Sequence, residues 1–300
     1  MWDNAALLGA APVFNVQLWL NGLSVGAIFA LVAYGLALVW GVTSVKNLAQ
    51  GDLVMLGGYL AYVFAARGIH PLAAMPAVAA LMFGFGWIVY RLVIRRVIQL
   101  DLFTSLLATF GLAITIQQSL NLAFGPEVRT VQSGFGQLEF LGGMVNITEI
   151  RVIALGLCLV LAAALVLFMK TSRIGQAIRA TAQDARAARV LGINTDHVYA
   201  LTFSLNAAIC GAAGVLIATV WVIQPFYGIA YSVRAFVIVT AAGLGNLPGV
   251  ILAALGLGVA EQYSGFIFGA QFQQATVVGL LLVILIWRQL LLMRDRRALQ

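Results

Sequence analysis

Val152-Ile-Ala-Leu-Gly-Leu-Cys-Leu-Val-Leu-Ala-Ala-Ala-Leu-Val-Leu-Phe-Met169 is a run of 18 residues without a charge, closed by Arg151 and Lys170. A bilayer core about 30 Å thick asks for roughly 20 apolar residues per helical crossing, and this run comes close to that length. Polar and apolar residues do not alternate along it, so it is not a barrel strand, and a helix satisfies its own backbone groups in lipid. Working outward, comparable stretches lie near 17–42, 53–66, 72–90, 102–123, 198–222, 232–248, 250–268 and 272–290. Of the 300 residues, 62% are hydrophobic and only 9% charged, which leaves too little polar surface to cover a water-exposed globule. The expected fold is therefore all-α, a polytopic transmembrane helical bundle of about eight to ten spans. It forms a single domain over residues 1–300.

Seventeen basic residues face ten acidic ones. In a soluble chain that excess would suggest nucleic acid, but here position decides: Arg91, Arg95 and Arg96, then Lys170, Arg173, Arg179, Arg186 and Arg189, then Arg288, Arg294, Arg296 and Arg297 all flank apolar runs. The positive-inside rule makes these three clusters cytoplasmic. Nine crossings, with the N-terminus outside and the C-terminus inside, satisfy all three. Residues 1–15 carry Asp3 and no basic residue, so they lack the positive region of a cleavable signal and are expected to be the mature end, outside.

Two connections exceed simple turns. Residues 125–149 contain Pro126 and the acids Glu127, Glu139 and Glu149, and are expected to form an irregular loop over the outer mouth. Residues 170–196 are rich in Ala and Arg, lack proline, and are expected to hold a cytoplasmic helix. Its core is Arg173-Ile-Gly-Gln-Ala-Ile-Arg-Ala-Thr-Ala-Gln-Asp-Ala-Arg-Ala-Ala-Arg-Val-Leu-Gly192. As one helix it would set Arg179, Gln183 and Arg186 on one face, with Gly192 placed to end it. Such a helix suits a groove on another protein; the alternative is a basic amphipathic helix resting on an anionic lipid surface. Gly243, Gly245, Pro248 and Gly249 mark either a turn at the membrane surface or a break between two half-helices.

Reactive groups are scarce. Neither Lys46 nor Lys170 follows a glycine as a phosphate-binding loop requires, so the chain is not expected to hydrolyse ATP. His70 and His197 have no ligand-spaced neighbours, and Cys158 and Cys210 lie within apolar runs as packing residues. No metal, no cofactor and no enzymatic triad is expected. Polar groups inside apolar spans are costly unless they face a cavity or a partner. Asn47, Gln50, Asp52, Gln117, Gln118, Asn121, Asn206 and Glu261 are therefore candidates for a substrate pathway. Hydrogen bonding between helices is the competing role for each.

Ala180-Thr-Ala-Gln-Asp-Ala-Arg-Ala-Ala-Arg-Val-Leu-Gly-Ile-Asn-Thr-Asp-His-Val198 resembles the coupling segment of branched-chain amino-acid ABC transporter permeases, the smaller membrane subunit of the leucine, isoleucine and valine importer type. Ala187, Ala188 and Gly192 match its Ala-Ala, three spacers, Gly core. Two further segments spread the likeness over the chain. Asn21-Gly-Leu-Ser-Val-Gly-Ala-Ile-Phe-Ala-Leu-Val-Ala-Tyr-Gly-Leu36, with Lys46-Asn-Leu-Ala-Gln-Gly-Asp52 and Gly57-Gly-Tyr59, resembles the family's first helix and following turn. Ala242-Gly-Leu-Gly-Asn-Leu-Pro-Gly249 and Glu261 resemble its late glycine turn and the acid beyond it. Gln50 stands where the family commonly has His, Ala242 replaces a glycine, and Arg288-Gln-Leu-Leu-Leu lacks the usual Pro and Gly of the ending.

The resemblance implies a bacterial inner-membrane permease subunit that moves branched-chain or related amino acids by alternating access. Its implied partners are a second permease subunit, two cytoplasmic ATP-binding subunits and a periplasmic solute-binding protein. Arg179, Ala182, Asp184, Arg186, Ala187, Ala188 and Gly192 would then form the coupling surface. Permeases for urea, amides or aromatic acids share the architecture, and a stand-alone secondary transporter is the reading from a different class.

Overall fold

The computed structural model describes residues 12–98, 100–132, 134–140, 145–243 and 245–298. The expectation for residues 1–11 lies outside these, as do the side chains of Arg288, Arg294, Arg296 and Arg297. The elements in chain order are α1 (Pro12–Thr43), α2 (Gln50–Ala66), α3 (Pro71–Val97, with a π-helical turn at Tyr90–Ile94) and α4 (Leu102–Phe124). A hairpin of β1 (Gln137–Phe140) and β2 (Val145–Thr148) precedes α5 (Glu149–Thr171), α6 (Arg173–Gln183) and α7 (Ala185–Val190). Then come α8 (Thr195–Val220), α9 (Gly228–Ala242), α10 (Leu247–Phe268) and α11 (Phe272–Ala298).

Polar residues start these helices where the chain leaves apolar sequence. Asp101 accepts from the Thr104 amide at 3.0 Å, Ser172 from the Gly175 amide at 2.9 Å, Asn194 from the His197 amide at 3.1 Å and Asn246 from the Gly249 amide at 3.1 Å. Each satisfies a backbone donor that the helix itself leaves over. Among the described residues, seven helices are long and apolar enough to cross a membrane. The other two of the nine expected segments are α2, with 17 residues, and the apolar stretch Phe272–Trp287 of α11.

The bundle is built around α1 and α8, which are buried nearly throughout, whereas α4 and α5 turn most of their surface outward. Small residues let the central helices touch by backbone, as close packing in lipid requires. A methyl group on Gly26 of α1 would stand 2.7 Å from the Ala254 carbonyl oxygen of α10. One on Gly57 of α2 would stand 2.6 Å from Cα of Gly211 on α8.

Two expectations change. Residues 125–149 are not wholly irregular, because β1 and β2 pair antiparallel with Gln137 opposite Thr148 and Phe140 opposite Val145. Residues 173–192 form two helices instead of one: Asp184 leaves helical geometry at φ −152° and ψ 106°. Arg186 therefore does not continue the face of Arg179 and Gln183. The glycines at 243 and 245, between α9 and α10, take φ near +82°.

The interruption at depth falls elsewhere. Gln50, the first residue of α2, bonds Asn206, 11 residues into α8 and so about 16 Å from its start. Gly228, the first residue of α9, sits against Gly51 and Asp52. Both helices therefore begin inside the bundle. Irregular backbone at that depth is tolerated only where protein satisfies it. Here Thr109 and Ser232 hydroxyls serve the peptide groups of Lys46, Leu48 and Gly51, while the Arg129 and Ile223 backbones bond each other.

Candidate functional site

The polar residues fall into distinct hydrogen-bonded groups. The first is a knot where α2 begins. Gln50 and Asn206 exchange two amide hydrogen bonds at 3.0 and 3.1 Å, and Gln50 also donates to the Val32 carbonyl at 2.9 Å. Asn47 donates to the Gln50 amide oxygen at 3.4 Å, and Cys210 lies 3.2 Å from the Gln50 amide nitrogen. All of these side chains are sealed from the surface. Two residues on, Asp52 accepts from Gln117 at 2.9 Å. A side chain on Gly228 would occupy the space of the Asp52 carboxylate, which explains the glycine at the head of α9.

The second group surrounds Glu261. Its carboxylate takes the Nε hydrogen of Arg234 at 2.7 Å, and both residues line a cavity of about 310 Å³. Arg234 escaped notice in the sequence reading because a lone arginine 27 residues before an acid carries no spacing signal. Gln118 faces outward on α4, and the Asn121 side-chain oxygen is buried without a partner. His70 and His197 pack edge-on against Phe135 and Trp87.

The third group is the two-helix segment at the end of the bundle where α8 starts. Asp184 accepts from the Arg186 and Ala187 amides at 2.7 and 3.0 Å, and these bonds hold its carboxyl below the usual carboxylate range. Arg189 donates to Thr195 at 2.7 Å and so ties α7 to α8. Asp196 beside it accepts from Tyr90 at 2.7 Å and pairs with Arg95 at 3.3 Å, which brings the π-helical turn of α3 to the same end.

Arg179, Ala182, Asp184, Arg186, Ala187 and Gly192 are exposed here, but Ala188 is only 2% exposed. The expectation that Ala188 is free to enter a partner's groove is therefore corrected: its methyl group already packs within this chain. Gly192 has φ +85° with open space around it, so it ends α7 as a left-handed residue. Two residues missed by sequence reasoning stand out instead. Val190 and Leu191, 88% and 79% exposed, form an apolar tip on an otherwise polar segment. The signal was there, as two adjacent large apolar residues between Arg189 and Gly192.

Seven membrane-length helices packed on glycine contacts, with irregular backbone and polar groups at depth, define a multi-pass membrane protein built like a transporter. The family described as branched-chain amino acid transport system, permease component, matches residues 18–287, and this chain belongs to it. It is 30% identical over 289 residues to the high-affinity branched-chain amino acid transport system permease protein BraD of Pseudomonas aeruginosa, covering 91% of this chain and 94% of that protein. It is 31% identical to the corresponding LivH protein of Escherichia coli K12, with the same coverage. The probable branched-chain amino acid transport permease LivH of Methanocaldococcus jannaschii is 24% identical over 86% of this chain and 85% of its own length. No solved structure matches. The chain is thus a permease component that works with the other components of a transport system.

Proposed function

We propose that this chain forms half of the inner-membrane pathway of an ATP-driven importer for branched-chain amino acids. Together with a second permease subunit it would receive substrate from a periplasmic binding protein. Two cytoplasmic ATP-binding subunits would engage α6 and α7 and drive alternation between outward and inward openings. Residues Asn47, Gln50, Asp52, Gln117, Gln118, Asn121, Asn206 and Glu261 belong to the pathway or its walls, and Gly243, Gly245, Pro248 and Gly249 form the turn through which α9 and α10 shift.

The observation that carries this reading, beside the family, is the exposed apolar tip Val190 and Leu191 on a segment whose inner face, through Ile178 and Ala188, is packed on the end of the bundle. Two adjacent exposed large apolar side chains on a segment rich in arginine offer a contact that a partner can cover. Arg179, Ala182, Arg186 and Ala187 are also exposed on α6 and α7. The test replaces Leu191 with Glu in cells expressing the whole system at matched membrane levels. The expected outcome is loss of co-purifying ATP-binding subunits and of labelled leucine uptake, with the permease still inserted. Retention of both would reject α7 as the docking element.

A further inference from the structure

The cavity around Arg234 and Glu261 has an unusual composition for its place. It lies between α1, α9, α10 and the first turn of α11. Val25 and Phe29 on its wall precede Val32 of the knot, whereas Leu38 and Val42, beyond Val32, pack against Ile178 of α6. The cavity is thus on the far side of the knot from the coupling segment. Its volume of about 310 Å³ is at the small end of ligand pockets, the size class of a single small molecule.

Its floor carries one full charge of each sign. The Arg234 guanidinium is held from three directions: over the Phe29 ring at 5.1 Å, near the Tyr231 ring at 5.9 Å, and by an Nη1 bond to the Ala230 carbonyl at 3.1 Å. Its Nε bonds one oxygen of Glu261. Nη2 of the arginine and the second oxygen of the glutamate are left over among the described residues. Placing such a pair between apolar helices is costly, and a hydrophobic pair of similar volume would join α9 to α10 at no loss. The charges therefore ask for a role besides packing.

We infer that this cavity is a seat for the zwitterionic head of an α-amino acid, with the substrate carboxylate on Arg234, its ammonium on Glu261 and its side chain against Phe29 and Trp221. The site is neutral overall but presents Nη2 of Arg234 beside the second oxygen of Glu261, so it matches a ligand that is itself neutral and dipolar. A simple carboxylic acid or a simple amine would engage only one partner of the pair and bring a net charge into an otherwise neutral buried site, which is penalised. The aromatic wall suits an aliphatic side chain, and Gln273 and Gln274 at the rim can hydrogen-bond the head group as it enters.

This inference rests on the amino-acid import proposed above, and one experiment separates the two. Cells expressing the whole system with the unaltered chain are assayed for labelled leucine uptake, and an absence of uptake rejects the importer reading together with the seat. Given uptake, Glu261→Gln and Arg234→Gln should each lower it at least about tenfold, the loss expected for a charge-assisted bond to substrate. Ala230→Leu, which fills the cavity and leaves the ion pair in place, should lower it as much. The paired replacement Arg234→Met with Glu261→Met keeps a neutral contact between α9 and α10, and should not restore uptake. Every variant should still co-purify with the other components. If Ala230→Leu or the paired methionine variant imports leucine at the unaltered rate, the ion pair is only a clamp and the inference is overturned.

Discussion

Gly51 has no room for a side chain: a methyl group there would collide with the Gly228 carbonyl oxygen, and Ser232 receives the Gly51 amide at 2.8 Å. Gly51→Ala should therefore force α2 and α9 apart at the point where both begin, at a cost of about 1–3 kcal/mol. Gly111→Ala, at a position with nothing within 4 Å, is the control and should leave thermal stability in detergent unchanged. Equal melting temperatures for the two variants would contradict the packing described. A second residue-scale prediction concerns Gln50, whose amide serves Val32, Asn47 and Asn206 together. Gln50→Leu leaves the Asn206 amide buried without its partner and should destabilise by about 1–3 kcal/mol. Gln50 was legible as a costly polar residue in an apolar span, but its partners were not. Asn206 lies 156 residues away in sequence, and only the antiparallel folding of the intervening helices brings the two together.

At the scale of elements, hydrophobic runs announced the helices because a lipid-spanning helix must be apolar for most of its length. What they could not announce was that α2 and α9 start inside the bundle, since the polar break at Lys46–Gln50 reads in sequence like any surface turn; Val45, Ala49 and Ile223 are all buried. The break at Asp184 was hidden for another reason. Alanine and arginine favour helix on either side, and one aspartate that caps the next helix has the same letter as one exposed on a continuous face. That cap is testable. Asp184→Asn keeps an oxygen for the Arg186 and Ala187 amides and should retain the ATP-binding subunits, whereas Asp184→Ala should lose them in a pull-down. The two amides lower the folded-state acidity constant of Asp184 below its ordinary 3.8. Its contribution is therefore fully present above that value and is lost only as the pH falls through the lower, folded one. Docking should accordingly be constant from pH 8 to about 5 as far as this cap is concerned. Equal retention by both variants would remove the cap from the coupling mechanism.

For the whole molecule, the argument turns on which face of the membrane holds α6 and α7. Arg95 lies 3.3 Å from Asp196, and Arg189 bonds Thr195, so the basic clusters of α3 and of the segment from Lys170 to Arg189 meet at one end of the bundle. Two basic clusters at one end, with the acids Glu127 and Glu149 in the connection that leads away from the other end of α4, give a consistent charge asymmetry. The positive-inside rule assigns the basic end to the cytoplasm. On that assignment α1 is expected to arrive from outside, α4 to deliver the β1–β2 hairpin outside, and α11 to return inside. A periplasm-dependent reporter fused after residue 135 should be active, and the same reporter fused after residue 183 or 297 should be silent. Activity at 183 would invert the bundle. The apolar tip at Val190 and Leu191 would then face the periplasm, where no ATP-binding subunit could reach it, and the seat at Arg234 and Glu261 would open toward the cytoplasm. Silence at 135 with silence at 183 would instead put both ends of α5 on one side, contradicting a 23-residue apolar helix as a crossing element.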